Sequence, residues 1–274
     1  MDGITMDGSA VFEKECFHGD GETAHPRSPH PHSLNPRTTG QNRLLAALPA
    51  DVYQRLEGDL ERVRMEHGGV LHENGEPLRH IYFPIDCMVT LLCELDDGAT
   101  GEIAVVGNEG LVGIAILMGG KTTPNRAVVQ SAGSAFRIKA HVLLREFERR
   151  GALQHLLLRY MQALITQTAQ TAVCNRYHAL EQQLCRWLLL SLDRLPSNVL
   201  TMTHELIATM LGVRREGVTE AAGHLQAAGL IHYFRGKITV LDRPKLEARV
   251  CECYAVVEKE FDRLLQRTPQ FAVN

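Results

Sequence analysis

Three charged residues stand together where a short helix is expected to begin: Arg214, Arg215 and Glu216. A guanidinium can donate two hydrogen bonds to O6 and N7 of guanine, and a carboxylate can accept one from the amino group of cytosine. Each good bidentate contact of this kind discriminates against a wrong base by about 1–3 kcal/mol. The three residues therefore have the chemistry to distinguish base pairs, provided that the chain carries them into a groove of DNA.

The elements that would position them lie in residues 203–241. Gly212 stands where the chain must leave a first helix, and glycine accepts the positive φ favoured there. On both sides of it apolar residues recur three or four positions apart, which indicates one buried stripe per helix: Ile207, Ala208 and Leu211, then Val218, Ala221, Ala222 and Leu225. The pattern is typical of a helix-turn-helix, whose second helix lies in the major groove. An ordinary helical hairpin is the alternative.

A predicted two-stranded wing follows these helices. Residues 230–233 and 238–241 are apolar runs, and Arg235-Gly236 is a turn candidate between them. A wing directly after the two helices favours the DNA-binding interpretation over the helical hairpin.

The bulk composition bounds the other possibilities. The 274 residues have room for two ordinary domains, and 45% of them are hydrophobic. The formal charge of -3 gives no global attraction to nucleic acid, so any DNA contact must use locally placed cations. No signal peptide pattern opens the chain, and no apolar run approaches the roughly 20 residues that span a bilayer. We expect a soluble, cytoplasmic protein without a membrane partner.

The seven cysteines have no spacing typical of a disulfide framework, which predicts reduced thiols: Cys16, Cys87, Cys93, Cys174, Cys185, Cys251 and Cys253. Cys251-x-Cys253 could form a redox or metal pair, but no second pair is visible, so we predict no metal and no cofactor. Histidines 18, 25, 30 and 32 fall in a segment rich in glycine, proline and serine. We interpret residues 1–40 as a disordered tail.

Helices are predicted at residues 42–48 and from Pro49 through Val52, Leu56 and Leu60. From Gly68 the pattern changes to short β-prone segments, at 69–72, 80–84, 88–95, 101–106, 127–131 and 135–138. Many short strands at close spacing indicate a β-sandwich or barrel of jelly-roll type.

A long helix follows with two candidate stripes. One consists of Leu157, Met161, Leu164, Thr168, Thr171 and Asn175, which alternate spacings of four and three. The other, consisting of Leu153, Leu156, Tyr160 and Ile165, could face the β-domain. Two stripes on one helix suggest that one is shared with a second subunit, so we expect a homodimer. A further helix is predicted at residues 179–192.

The order of a β-roll, a long helix and a winged helix-turn-helix resembles the Crp/Fnr family of bacterial transcription regulators. The motifs that carry the resemblance are Gly212-Val213-Arg214-Arg215-Glu216-Gly217-Val218 and Ala228-Gly229-Leu230-Ile231. It implies an α+β fold with a jelly-roll β-roll sensor domain, a long dimerisation helix and a C-terminal winged helix-turn-helix domain. The expected divisions are a tail at 1–40, a β-roll at 41–140, the dimerisation region at 141–178, the DNA-binding domain at 179–250, and a C-terminal helix and tail at 251–274.

The resemblance also implies roles for single residues. Arg215 and Glu216 match the family's base-reading pair, whereas Glu220 replaces a second base-reading arginine. The alternative for Glu220 is a solvated surface acid. Gly223 in mid-helix destabilises the helix by about 1 kcal/mol relative to alanine. Close approach of the backbone to another molecule would explain why a glycine stands there. The predicted DNA-contacting residues are Thr203, Arg214, Arg215, Glu216, Thr219, Glu220, His224, Arg235 and Lys237, with Thr203, His224, Arg235 and Lys237 as phosphate contacts. Double-stranded DNA is the expected partner, and the family allows RNA polymerase as another.

The sensor half departs from the family pattern. Gly113 and Arg126 match effector-binding positions, but Ile114 and Ala127 replace the glutamate and the hydroxyl residue that hold a cyclic nucleotide. We therefore expect a small-molecule effector other than cAMP. The alternative is a cyclic-nucleotide or anion-binding signalling module that acts through protein partners.

No enzyme is predicted. The sequence shows no phosphate loop and no recognisable pair of catalytic carboxylates, and His204-Glu205 lacks the second histidine of a zinc protease. We therefore name no catalytic residue.

Overall fold

The computed structural model describes residues 42–265. The predicted tail at 1–40, with its four histidines and Cys16, and the segment 266–274 lie outside the described residues.

Two short helices, α1 (Arg43–Ala47) and α2 (Ala50–Glu57), open the described chain. Buried Asn42 caps α1, because its Oδ1 accepts from the backbone N–H groups of Leu44 and Leu45 at 3.0 and 3.3 Å. Its Nδ2 donates to the carbonyls of Pro84 and Gly110 at 2.9 and 2.7 Å, which fastens α1 to the domain that follows. Helix α2 ends earlier than predicted, so Leu60 lies outside it.

Seven antiparallel strands form the next domain. They are β1 (Glu61–Met65), β2 (Val70–His72), β3 (His80–Pro84), β4 (Met88–Glu94), β5 (Thr100–Val106), β6 (Arg126–Ser131) and β7 (Gly133–Lys139). One sheet has the order β1-β7-β3 and the other β2-β6-β4-β5. Side chains from both sheets share one apolar cluster, as expected for the predicted β-roll.

Six of these strands were predicted from the sequence to within two residues at each end, whereas β1 was missed. Its sequence, ERVRM, has only Val63 and Met65 as apolar residues. These two alternate with arginines, and the helical pattern just before them extends to Leu60. A 3-10 helix at Ile114–Met118, between β5 and β6, was not predicted either.

Helices α3 (Ala140–Glu148), α4 (Ala152–Tyr177) and α5 (Leu180–Leu192) follow the β-roll. Within the chain, α4 buries Leu153, Leu156, Leu157, Tyr160 and Met161. The apolar start of the first predicted stripe is therefore covered by the chain itself. The prediction that Ile165 faces the β-domain is wrong, because this side chain is 66% exposed.

A different face of α4 points to solvent. Its residues alternate spacings of three and four along the helix: His155, Leu158, Gln162, Ile165, Ala169, Ala172 and Arg176. We call this set the outward stripe. It has the period of a coiled-coil seam, and Leu158 and Ile165 are exposed at 48% and 66%.

The C-terminal part contains β8 (Val199–Thr201), α6 (His204–Leu211), α7 (Arg215–Ala227), β9 (Ile231–Phe234), β10 (Lys237–Val240), α8 (Arg243–Arg249) and α9 (Glu252–Leu265). Strands β8, β10 and β9 form one sheet in that order. Helix α9 then returns along α4, where Gln162 Nε2 donates to Glu260 Oε1 at 3.0 Å and the rings of Tyr160 and Phe261 meet edge to face. No helix in residues 42–265 is long and apolar enough to cross a membrane.

A buried polar network joins the β-roll to the helices. Arg194, just after α5, donates from Nε to Glu109 Oε1 and from Nη2 to Gln167 Oε1, both at 2.8 Å. Gln167 on α4 donates in turn to the Val105 carbonyl at 3.0 Å. The side chains of Arg194 and Glu109 are only 4% and 7% exposed. Because a buried charge is costly without its partner, this network fixes how the β-roll, α4 and the end of α5 pack together.

The substitution Glu109→Gln tests this network, since it leaves the guanidinium of Arg194 buried without a counter-charge. We expect the free energy of unfolding to fall by about 3–5 kcal/mol in urea titrations. Glu61→Gln is the matched control, because the Glu61–Arg137 pair lies on the surface of the same domain. Exposed pairs contribute about 1 kcal/mol or less. Equal losses in the two variants would contradict the role assigned to Glu109.

Candidate DNA-binding surface

Helix α6 ends and α7 begins where the sequence predicts. Thr203 caps α6, and its Oγ1 accepts from the backbone N–H of Leu206 at 3.2 Å. Gly212 ends α6 in the left-handed region with φ 65°, and the N–H of Val213 donates to the Ala208 carbonyl at 3.0 Å. Arg214 is the first residue before α7. The turn is therefore set by the backbone freedom of one glycine.

The predicted apolar stripes hold the two helices together. The residues named from their spacing are all buried: Ile207, Ala208 and Leu211 on α6, and Val218, Ala221, Ala222 and Leu225 on α7. Gly217 lies against α5, where a Cβ would come within 2.8 Å of Leu180 Cδ2. The packing leaves one face of α7 to solvent.

That exposed face contains most of the predicted DNA-contacting residues. Arg214, Arg215, Glu216, Thr219, Glu220 and Gly223 are all exposed. Arg215 is 66% exposed, and its Nε lies 3.9 Å from the exposed carboxylate of Glu205 on α6. An exposed pair at this distance is weak, so the guanidinium can exchange this carboxylate for another acceptor. A Cβ at Gly223 would meet nothing within 4 Å, so packing inside the chain does not require the glycine.

His204 connects both helices to the wing, a role that the sequence analysis missed. Its ring stacks on Tyr233 of β9 with centroids 4.0 Å apart, and its Nδ1 lies 3.0 Å from Thr219 Oγ1 on α7. Burial, assisted by the nearby charge of Arg215, lowers the pKa of His204 below its usual value, which favours the neutral ring. Thr219 also donates to the Arg215 carbonyl at 3.0 Å. His204 and Thr219 therefore help to place the first turn of α7.

The wing turn lies next to the N-terminus of α6. Arg235 and Gly236 form a two-residue hairpin loop with φ 48° and 73°, both positive as a type I′ turn requires. Gly236 accepts from the backbone N–H of Met202 at 2.7 Å. Lys237 pairs with Thr201 in the sheet. Thr203, Arg235 and Lys237 are therefore close together, and all three are exposed.

His224 lies apart from this group. Its Nδ1 lies 3.5 Å from Glu181 Oε2 on α5, and the same glutamate accepts from Arg249 Nη1 at 3.0 Å. A phosphate contact by His224 would compete with this carboxylate.

The sensor sheet contacts α6 directly. Thr90 Oγ1 on β4 lies 3.8 Å from Met210 Sδ, and Gln130 Nε2 on β6 lies 3.9 Å from Met202 Sδ. Beside this contact Thr90 donates to Glu102 Oε2 at 2.5 Å, and burial raises the pKa of Glu102 despite that hydrogen bond. The helix that supports the exposed face of α7 therefore rests on the β-roll.

The two predicted effector-binding residues occupy different settings. Gly113 has φ 100°, and a Cβ there would lie 3.1 Å from the His80 carbonyl, so the backbone requires glycine. Arg126 on β6 pairs through Nε with Glu73 Oε2 at 2.8 Å. Ala127 is fully buried in the apolar cluster of the β-roll. An anion at Arg126 would therefore have to displace Glu73.

Two family models match the chain. The cyclic nucleotide-binding domain model matches residues 62–150, and the Crp-like helix-turn-helix domain model matches residues 182–249. No curated protein matches the chain by sequence.

Solved structures show the same fold. FixK2 from Bradyrhizobium japonicum is 17% identical, with a TM-score of 0.59 over 70% of this chain and 98% of its own. The c-di-GMP-responsive global regulator CLP from Xanthomonas campestris is 18% identical, with a TM-score of 0.56 over 71% and 100%. A transcriptional regulator of the CRP/FNR family from Thermus thermophilus is 22% identical, with a TM-score of 0.54 over 71% and 98%.

The β-roll, the helix-turn-helix and the two matching family models lead to one conclusion. The chain belongs to the Crp/Fnr family of transcription regulators, with a cyclic-nucleotide-binding-like sensor domain and a Crp-like helix-turn-helix domain.

Proposed function

We propose that this chain is a homodimeric, sequence-specific DNA-binding regulator that acts by binding and not by catalysis. The observation that carries the proposal is the exposed face of α7, which presents Arg214, Arg215 and Glu216 beside the wing. From the family we take double-stranded DNA as its partner, RNA polymerase as a further partner, and the cytoplasm as its place of action.

Base readout is assigned to the first turn of α7. Arg215 would donate its two parallel N–H groups to a guanine, and Glu216 would accept from the amino group of a cytosine. Both side chains are exposed. Among residues 42–265, only the Glu205 carboxylate lies within ion-pair distance of Arg215, so only this contact would have to be exchanged for a base. Glu220 lies one turn further along the exposed face. Its carboxylate would be repelled by a phosphate and would instead accept a hydrogen bond from an amino group of a base.

Phosphate contacts are assigned to the group around the wing turn. Thr203 keeps a hydroxyl hydrogen to donate, because its oxygen serves as the acceptor of the helix cap. Arg235 and Lys237 place two cations beside it. Contacts of this kind orient the protein on DNA and carry no base sequence by themselves. Thr219 and His224 each have a partner within the chain, the Arg215 carbonyl and the Glu181 carboxylate, which a contact with DNA would have to replace.

The dimer is assigned to the outward stripe of α4. Every residue of the stripe is exposed, and its apolar members Leu158, Ile165, Ala169 and Ala172 follow the spacing of a coiled-coil seam. Two copies related by a two-fold axis would cover this face. They would also present two α7 helices to half-sites about 34 Å apart. This assignment replaces the stripe that starts at Leu157, because its apolar members Leu157 and Met161 are buried within the chain.

The effector is assigned to a class other than cyclic nucleotides. Ile114 cannot accept from a ribose hydroxyl, Ala127 cannot donate to a phosphate, and Arg126 already pairs with Glu73. A cyclic nucleotide would lose hydrogen bonds to water without replacing them, which is costly for a buried polar ligand.

Arg215→Ala and Lys237→Ala separate the two roles on DNA, using an operator selected from random duplexes and a scrambled duplex. For Arg215→Ala we expect specific affinity to fall by about 10-fold or more per half-site, since one bidentate contact is worth about 1–3 kcal/mol. Affinity for the scrambled duplex should change little. Lys237→Ala should weaken both complexes alike and reduce the salt slope by about one per subunit.

The matched control for these variants is Lys259→Ala, because Lys259 is an exposed lysine on α9 and not on the wing. Its affinities should equal those of the unmodified chain. The role assignment fails if Arg215→Ala and Lys237→Ala lose affinity uniformly on both duplexes.

Ile165→Lys tests the dimer. A lysine in the middle of an apolar seam should convert the dimer to a monomer in sedimentation velocity, with little loss of monomer stability because Ile165 is 66% exposed. Met118→Lys is the control, since Met118 is similarly exposed, at 60%, but lies in the 3-10 helix of the β-roll. An unmodified chain that sediments as a monomer would refute the assignment.

Titration calorimetry with cAMP and cGMP tests the alternative, a cyclic-nucleotide signalling module. We expect no measurable heat of binding with the unmodified chain. Saturable binding that is lost in Arg126→Ala would overturn the effector proposal and favour the alternative. If the same preparation still binds DNA sequence-specifically, the effector proposal fails while the DNA-binding proposal stands.

A further inference from the structure

Four potential metal ligands lie together at the end of α4. The Sγ atoms of Cys174, Cys251 and Cys253 and a ring nitrogen of His178 all lie within 4.8 Å of one another. All three cysteines are buried, and His178 is half-buried. The six cysteines in residues 42–265 are free thiols. No second ligand pair for Cys251-x-Cys253 is visible in the sequence, but the fold brings Cys174 and His178 beside it.

The backbone holds these ligands on ordered elements. Cys174 lies in the last turn of α4 and His178 is the C-cap residue four positions later, and their ligand atoms lie within 4.8 Å of each other. The N–H of His178 donates to the Cys174 carbonyl at 3.0 Å, which fixes the last helical turn. Cys251 and Cys253 flank the first residue of α9, and the N–H of Tyr254 donates to the Cys251 carbonyl at 3.2 Å.

The distances between ligands fit a tetrahedral ion. With zinc–sulfur bonds of about 2.3 Å and zinc–nitrogen bonds of about 2.0–2.1 Å, tetrahedral edges measure about 3.8 Å between sulfurs and about 3.6 Å between sulfur and nitrogen. Cys174 Sγ lies 3.6 Å from Cys251 Sγ, and Cys253 Sγ lies 3.5 Å from His178 Nδ1. The other four separations are at most 4.8 Å, so closing the four ligands around one ion requires movements of about 1 Å or less.

The surroundings also suit such an ion. His178 Nε2 lies 3.4 Å from Glu252 Oε1, the carboxylate–histidine arrangement that orients a metal-bound imidazole. Three thiolates and a neutral imidazole on Zn²⁺ carry one net negative charge. Arg186 is buried, at 4% exposure, and its Nη1 donates to Thr171 Oγ1 one turn before Cys174 on α4. Its positive charge can therefore offset that negative charge.

We propose that Cys174, His178, Cys251 and Cys253 form a closed, structural Zn²⁺ site that ties the joint between α4 and α5 to the start of α9. Four protein ligands leave no open position for a substrate, which distinguishes a structural site from a catalytic one. Thiolate ligands with imidazole in a tetrahedron select zinc over magnesium or calcium. None of the four ligands falls within residues 62–150 or 182–249, so the site lies outside both matched family models.

The first experiment measures zinc and thiolate ligation in the full chain, purified under reducing conditions from cells supplied with zinc. We expect one zinc per chain by elemental mass spectrometry. Exchange for Co²⁺ should give thiolate-to-cobalt charge-transfer absorption, which histidines 18, 25, 30 and 32 cannot produce. A zinc-free chain, or one in which Cys174 and Cys251 form a disulfide under these conditions, would overturn the proposal.

The second experiment compares Cys251→Ser/Cys253→Ser with Cys93→Ser, which removes a thiol on β4 outside the cluster. The double variant should lose the bound zinc and the cobalt absorption, whereas Cys93→Ser should keep both. A strong chelator should lower the Tm of the unmodified chain and of Cys93→Ser. Zinc content or charge-transfer absorption retained in the double variant would refute the ligand assignment. If the double variant does not fold, the cobalt spectrum of the unmodified chain still decides the question.

Discussion

The buried pair of Arg194 and Glu109 is the constraint on which the arrangement of this molecule depends. It joins a turn of the β-roll to the end of α5, and Gln167 adds α4 to the same network. Removing two charges from water is expensive, and the cost is offset only when both remain paired in good geometry. The position of the helix-turn-helix relative to the sensor is therefore held by a contact that is either made completely or lost.

This constraint places the sensor sheet against α6, the helix that supports the exposed face of α7. Helix α6 rests on β4 through Met210, and Met202, just before α6, lies against Gln130 of β6. Helix α7 packs on α6 and α5. A change in the sheet needs no long pathway to reach the first turn of α7, because only α6 lies between them. The stack of His204 on Tyr233 joins α6 directly to the wing as well.

The sequence predicted what depends on local patterns. Gly212, the apolar stripes of α6 and α7 and the turn at Arg235-Gly236 were identified because each depends on residues a few positions away. The elements that pack on α4 could not be predicted, because apolar spacing indicates that a face is buried but not which part of the chain, or which second chain, buries it. Its neighbour α9 begins 75 positions after the end of α4. For the same reason Cys174 lies 77 positions from Cys251, and no spacing rule connects them.

The return of α9 along α4 closes the described chain into a ring. Asp262 near its end lies 3.8 Å from Arg43 near the beginning, and Phe261 packs against Tyr160 beside the β-roll. The beginning of α1 and the end of α9 are consequently neighbours in space. A label fixed at Arg43 and one fixed at Asp262 would therefore report on the same part of the molecule, although the two residues are far apart in sequence. The order of elements along the chain is thus not their order in space, since the last helix finishes where the first begins.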